Sequence, residues 1–378
     1  MRKKVINSAR FLLSNGVSIM YIKHCIQTTE IQFDDTSHFN LIPRSAEVFW
    51  FENSVRRGSG DGSCRFEIQS NTGQEPWIKT IEGDNMKDHL ELKAYAKINL
   101  GLDVVRRRPD GYHEVKMIMQ TISLHDELRF EETGGKEIIL VSNDNPLLPE
   151  DAKDNLIYKA AECIRREYGI DRGVKIILQK NIPIAAGMAG GSTDAAAVFH
   201  GLNELWQLSM SREKMQELSV KLGADIPYCI MGGTALSEGI GEVLTPLPAP
   251  PHAYILIAKP DISVSTKFVY ENLHADTLQK HPDIDGMVEA IRNGDLHGIT
   301  ARMENVLETV TEKTYPVISE LKEKMREEGA LNALMSGSGP TVFGIFEEED
   351  KAQKAADRIR ELKLSNQIYV TTFVNVSL

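Results

Sequence analysis

Residues 183 to 197 read PIAAGMAGGSTDAAA. Pro183, Ile184, Ala185, Ala186, Gly187, Met188, Ala189, Gly190 and Gly191 leave little side-chain bulk, and Ser192 and Thr193 then add two hydroxyls. Glycines at 187, 190 and 191 let a ligand approach the backbone closely, with successive amides turned towards it. Beyond them Val198, Phe199, Leu202, Leu205 and Trp206 fall at helical spacing, so a helix is expected to begin near Ser192. The unpaired N–H groups at its start and the positive end of its dipole favour an anion, above all phosphate. The plainer alternative is a tight helix–sheet contact that needs small residues. The lysine that closes a Walker-type loop, Gly-Lys-Ser/Thr, is missing. The glycine spacing, with no suitably placed acid after a following strand, also excludes a Rossmann fingerprint. If the stretch holds phosphate, positive charge and a base must come from elsewhere in the chain.

Lys97 is a candidate for that charge. From Leu90 to Val104 apolar and polar residues alternate strictly, which predicts a strand with one buried and one polar face. Lys97 and Asn99 then project from the same side, one pleat apart; the plainer alternative is a solvated strand face. Asp225, in LGADIP, is a candidate base. It follows the predicted helix SREKMQELSVKLG, whose expected stop is Gly223. There a carboxylate would meet the unfavourable end of the dipole, and Lys97 could keep it ionised. Tyr112 and His113 follow the turn RPDG (108–111) and could form a wall for a ring-bearing substrate or simply half-cover a sheet edge. A second glycine turn, MSGSGP, occupies 335–340.

Several elements must position these residues. EVKMIMQTISL reads as the strand returning from RPDG, DNLIYKAAECIRREYG as a helix capped by Asp154 or Asn155 and ended by Gly169, and VKIILQKNIP as a strand leading into the glycine-rich stretch. TPLPAPP (245–251) reads as a linker, because prolines this dense do not pair in a sheet. After it come a strand (AYILIA), several helices, and a close of strand, glycine turn, strand, helix and strand. The pattern is α+β in two domains with a cleft between them.

The totals fit that picture. The chain has 378 residues, 42% hydrophobic and 26% charged, with a net charge of −11 that argues against nucleic acid as a partner. Such a charge repels phosphates at long range, so a phosphate site must be locally positive. Cys25, Cys64, Cys163 and Cys229 have no metal-type spacing, as expected in a reducing, cytoplasmic setting. No apolar run is long enough to span a membrane. Residues 1–85 stand apart: acids and bases balance there, no period is sustained, and poor order is expected. Residues 1–29 lack acids, which keeps a plastid transit peptide open, but acids from Glu30 onward weigh against it. The preferred expectation is a natural start at Met86, because IEGDN back-translates into a purine-rich ribosome-binding sequence just ahead of the ATG.

AKINLGL (96–102), RPDGYHEV (108–115), PIAAGMAGGSTDAAA (183–197), LGADIP (222–227) and MSGSGPTVFG (335–344) occur in this order and together resemble the motifs of the GHMP kinases, a family that includes galactokinase and the homoserine, mevalonate and phosphomevalonate kinases. The likeness covers residues 86 to 378. It implies a domain similar to the second domain of ribosomal protein S5 over 86–247, with a left-handed βαβ crossover, and a ferredoxin-like domain over 248–378. The first, second and fourth motifs resemble the branch that moves the γ-phosphoryl of ATP to the 2-hydroxyl of a cytidine-diphosphate-linked methylerythritol, in the non-mevalonate route to isoprenoids. By this resemblance Lys97 and Asp225 form the catalytic pair, and residues 183–193 hold the ATP phosphates. Asn99, Tyr112 and His113 line the substrate cleft, with His113 at the cytosine edge. Within SVSTKFVY, Thr266 and Tyr270 flank the substrate, with Tyr270 on the base. Mg²⁺ is expected to arrive with ATP. Met188 and Thr193 stand where the family's usual loop has leucine and serine. The rivals are a GHMP kinase for a smaller alcohol and a catalytically dead sensor of sugars or nucleotides.

Overall fold

The computed structural model describes residues 89–142, 148–275, 278 and 280–375, together with short strands among the first 51 residues. The chain divides into two units, Met1–Lys87 and Asp88–Leu378. In the first, β1 (Ala9–Ser14) pairs with β2 (Val17–Ile22), and β3 (Ile31–Phe33), β4 (Phe39–Leu41) and β5 (Trp50–Phe51) form a three-stranded sheet. Most of residues 1–85, and with them the expectations of poor order and of a start at Met86, lie outside the described residues.

The second unit opens with two long strands, β6 (His89–Arg107) and β7 (His113–Thr133), joined by the expected turn. Gly111, at φ 89°, closes it by donating to the Arg108 carbonyl at 3.1 Å. β8 (Ile138–Ser142) lies parallel to β9 (Gly173–Gln179), and α1 (Leu156–Tyr168) connects them in a βαβ unit. Asn155 caps α1 through Ile157 N, and Gly169 ends it in the left-handed conformation, as its sequence signals require. Next come α2 (Gly190–Leu205), α3 (Arg212–Ser219) and α4 (Ile226–Met231), then β10 (Thr234–Glu238) and β11 (Val243–Leu247). The sheet runs β11-β10-β7-β9-β8, with β6 on β7. The TPLPAPP segment departs from expectation here, because Pro246 pairs with Ala235. β11 is an edge strand, where a missing N–H costs no ladder bond.

Three irregularities in the β6–β7 pairing, at Tyr95/Lys97, Asn99/Gly101 and Val104/Arg106, shape the site. A bulge flips the side chains that follow it to the other face. Ala94, Leu102 and Val104 therefore pack in one core, and Ala96, Ile98 and Leu100 in another. The strand is consequently buried on both faces. Lys97 is only 5% exposed and Asn99 is fully buried, where simple alternation predicts a solvated polar side.

A second sheet follows the linker. Its strands are β12 (Tyr254–Lys259), β13 (Asn332–Met335), β14 (Val342–Phe346) and β15 (Gln367–Thr372), in the antiparallel order β13-β14-β12-β15. Between β12 and β13 lie α5 (Thr266–Asn272), α6 (Ile284–Arg292), α7 (Leu296–Ala301), α8 (Glu308–Thr314) and α9 (Val317–Glu327). α10 (Glu349–Glu361) connects β14 to β15. This is the ferredoxin-like arrangement. The two sheets are tied where Ser123 on β7 bonds Thr371 on β15 at 2.7 Å, and where Leu102 on β6 exchanges backbone bonds with Glu304 and Val306.

Candidate active site

A cavity of about 1250 Å³ opens between these parts. It is lined by Lys97, Asn99, Tyr112, His113, Asp225, Thr266 and Tyr270, and by every residue from Pro183 to Ser192 except Met188. Sixteen of the eighteen residues expected from the sequence therefore meet around one space. Met188 and Thr193 do not line it. Met188 is buried in the core beside Ile182, and the Thr193 hydroxyl donates to the Tyr95 carbonyl at 2.7 Å. Thr193 thus anchors α2 to β6 rather than offering a donor to a ligand.

The glycine-rich segment is bonded to protein by its carbonyls. Met188 O accepts from Lys97 N at 3.2 Å, and Gly187 O accepts the Ser336 hydroxyl at 2.9 Å. The N–H groups of Gly187 to Ser192 find no acceptor among the described residues. Gly190, Gly191 and Ser192 form the first turn of α2, two residues earlier than the apolar spacing implies. Ala189, just ahead of it, is left-handed at φ 56°, as is Ala185 at φ 51°. Such backbone in a residue with a Cβ costs about 1–3 kcal/mol and persists where the surroundings enforce it. Gly187, at φ 71°, is required for a further reason: a Cβ there would lie 2.3 Å from Ser336 O.

MSGSGP is thereby the wall against which the loop is set. Asn305 holds that wall, its side-chain amide donating to Met335 O and Gly337 O at 2.8 Å each. The Thr266 and Ser338 hydroxyls share a bond of 2.9 Å, which brings α5 to the same turn. His113 and Tyr270, distant in sequence, meet with ring centroids 5.1 Å apart at a tilt of 44°. Burial, and then the charge of Asp225, raise the Tyr270 phenol above its ordinary value, so it stays protonated. Tyr112 stands at the rim, 60% exposed.

Asp225 corrects the sequence expectation. α3 ends at Ser219, and Asp225 is the N-cap residue of α4, with Pro227 in that helix's first turn. It faces the favourable end of a short helix dipole. Proline at such a position is a start signal that marks α4 in the sequence. Lys97 Nζ donates to Asn99 Oδ1 at 2.7 Å, and no bond between Lys97 and Asp225 is present among the described residues. Both nevertheless act on Cys229 of α4: burial pushes its thiol up, Asp225 adds to the rise and Lys97 opposes it.

The cavity's side chains are not net positive. Lys97, Arg107, Lys180 and Lys267 are balanced by Asp154, Asp194, Asp225 and Glu271 among the described residues. The exposed amides and the start of α2 carry partial positive charge of the kind that favours an anion. Lys180 and Asp194 escape the sequence reading, because neither motif spacing nor periodicity links them.

The GHMP kinases N terminal domain family matches residues 155–233, and the GHMP kinases C terminal family matches 287–363. A 4-diphosphocytidyl-2-C-methyl-D-erythritol kinase of Lachnoclostridium phytofermentans is 53% identical over 286 residues, 76% of this chain and 98% of that protein. The chain belongs to the GHMP kinases. Within the family, a crystal structure of 4-(cytidine 5'-diphospho)-2C-methyl-D-erythritol kinase matches with a TM-score of 0.66 at 32% identity, covering 76% of this chain and 100% of its own. The homoserine kinase of Cytophaga hutchinsonii shares the fold, with a TM-score of 0.62 at 21% identity over 78% of this chain and 96% of its own.

Gly187→Ala is expected to weaken ATP binding by about tenfold or more, since the left-handed backbone alone costs about 1–3 kcal/mol before the clash with Ser336. Titration calorimetry with a non-hydrolysable ATP analogue measures this; unchanged affinity would show that the close approach is not needed.

Proposed function

We propose that this GHMP kinase transfers the γ-phosphoryl of ATP to the 2-hydroxyl of 4-diphosphocytidyl-2-C-methyl-D-erythritol, in the non-mevalonate supply of isoprenoid precursors. The observation that carries this is the sharing of one cavity by a run of unpaired amides, the Lys97/Asp225 pair and the His113–Tyr270 ring pair. The names of the relatives at 53% and 32% identity support it. A cavity of about 1250 Å³ has room for ATP and a nucleotide-linked alcohol together. A small polyol gains little from a pair of rings, so the smaller-alcohol rival fits less well.

Residues 183–192 hold the ATP phosphates through backbone N–H groups and the start of α2. His113 and Tyr270 take the cytosine, with Tyr112 closing the rim; Asn99 and Thr266 orient the alcohol. Asp225 accepts the proton of the 2-hydroxyl as its oxygen attacks phosphorus. Lys97, steadied by Asn99, stabilises the negative charge that grows on the transferring group. The described residues hold no group of three or more acids, histidines or cysteines able to cage a metal. They fit a Mg²⁺ ion held chiefly by the phosphates, which would neutralise their charge. We assign residues 86–247 and 248–378 as the two domains, with 1–85 an extension ahead of them. Among the described residues no helix is long and apolar enough to cross a membrane. The relatives are bacterial, and we place the reaction in the cytoplasm, beside its ATP.

A coupled assay of ADP release over a panel of alcohols tests this. Turnover is expected with the cytidylylated methylerythritol and not with mevalonate, homoserine or galactose; the reverse preference would overturn the substrate, and no ADP release with any alcohol would favour a sensor. Asp225→Asn is expected to lower kcat by about 10²–10⁴-fold with ATP binding retained. Near-normal turnover in that variant would remove Asp225 as the base.

A further inference from the structure

Beneath the phosphate loop lies a cluster of buried charge that the reaction above does not use. The side chains of Lys180, Asp126 and Asp194 are 3%, 0% and 4% exposed. Lys180 Nζ bonds Asp126 Oδ2 and reaches Asp194 Oδ2 at 2.9 Å. Taking such charges out of water costs several kcal/mol per ion after relaxation, so their arrangement needs a cause.

The bonds made by each member supply one. Asp126 Oδ1 accepts the N–H of Asn181 at 2.6 Å and of Ile182 at 2.8 Å, the residues that lead into the loop. Asp194 belongs to the second turn of α2, the helix that leaves the loop. Lys180 therefore joins the loop's entry to its exit. Gly190 makes the path possible: a Cβ there would lie 2.9 Å from Lys180 Nζ and 3.1 Å from Ile182 Cγ2. Asp194 Oδ1 is buried and has no partner, so Lys180 is the contact that holds this carboxylate in place. Burial, with Asp126 adding and Lys180 opposing, raises the Asp194 carboxyl well above the usual carboxylate range.

We propose that Lys180, clasped between Asp126 and Asp194, is a positioning residue that sets the span of the loop from Asn181 to Ser192, so that the unpaired amides converge on the phosphates of ATP. This presupposes that the loop holds ATP. Lys180 acts through the two ends of the loop and not by touching the nucleotide.

The test is steady-state kinetics on full-length Lys180→Met, Asp194→Asn, their double variant and Lys180→Arg, with melting temperatures recorded alongside. Lys180→Met is expected to raise KM for ATP about tenfold or more while KM for the alcohol stays within about twofold. Asp194→Asn should raise KM for ATP by a few-fold. The double variant should be no worse than Lys180→Met alone, because residues acting as one unit do not add. Arginine keeps the charge and reaches both carboxylates, so Lys180→Arg should return KM for ATP to within about threefold of the parent. A folded Lys180→Met with unchanged KM for ATP overturns the proposal, and so do effects that multiply in the double variant, which would mean direct contact with nucleotide. If Lys180→Met does not fold, Asp194→Asn decides, and an unchanged KM for ATP there overturns it. Titration of the parent protein with an ATP analogue separates the two premises: no binding defeats both the donor site and the clasp, whereas binding with unaltered variants defeats the clasp alone.

Discussion

Gly187 and Ser336 approach so closely that no side chain fits between them, and the carbonyl of one accepts the hydroxyl of the other. This contact fixes which side of the loop is spent on protein and which is left for ligand. With its carbonyls bonded to β6 and to the MSGSGP turn, the loop presents its N–H groups to the cavity. The loop comes from the first sheet and the turn from the second, so the site exists only when both sheets are folded and joined. The bridge between Leu102 and residues 304–306 crosses the same joint, while Asn305 and Thr266 hold the turn on its own side of it.

In a chain of net charge −11, the described residues lining this cavity carry no excess of cationic side chains. Lys97 is buried against Asn99, and the cations and acids lining the cavity balance. In the proposed function, fixed backbone dipoles take the place of the lysine of Walker-type loops, and such dipoles need no reorganisation on meeting an anion. The proposed function reserves charge for the reacting atoms: Lys97 and Asp225 reach the cavity from β6 and from the start of α4.

Local signals in the sequence were the most legible. The strand at 90–104, the turn at Gly111 and the caps of α1 follow from neighbouring residues, and the structure keeps them. Departures arise where tertiary contacts override local pattern. Bulges in β6 bury both of its faces, edge position admits Pro246 to a sheet, and α4, shorter than most helices, reverses the dipole felt by Asp225. Thr266 and Tyr270 were placed by family resemblance alone, since nothing in their own segment marks them. The Lys180 cluster was illegible because its partners lie 54 and 14 residues away, beyond any helical or strand period.

The central claim is that backbone amides hold the donor while Asp225 meets the acceptor hydroxyl. A crystal structure with a non-hydrolysable ATP analogue and 4-diphosphocytidyl-2-C-methyl-D-erythritol tests both parts at once. The account predicts the β- and γ-phosphates on the N–H groups of residues 187–192, cytosine against His113 and Tyr270, and the 2-hydroxyl within hydrogen-bond distance of the Asp225 carboxylate. Phosphates bound away from that loop, or a 2-hydroxyl out of reach of Asp225, would contradict it.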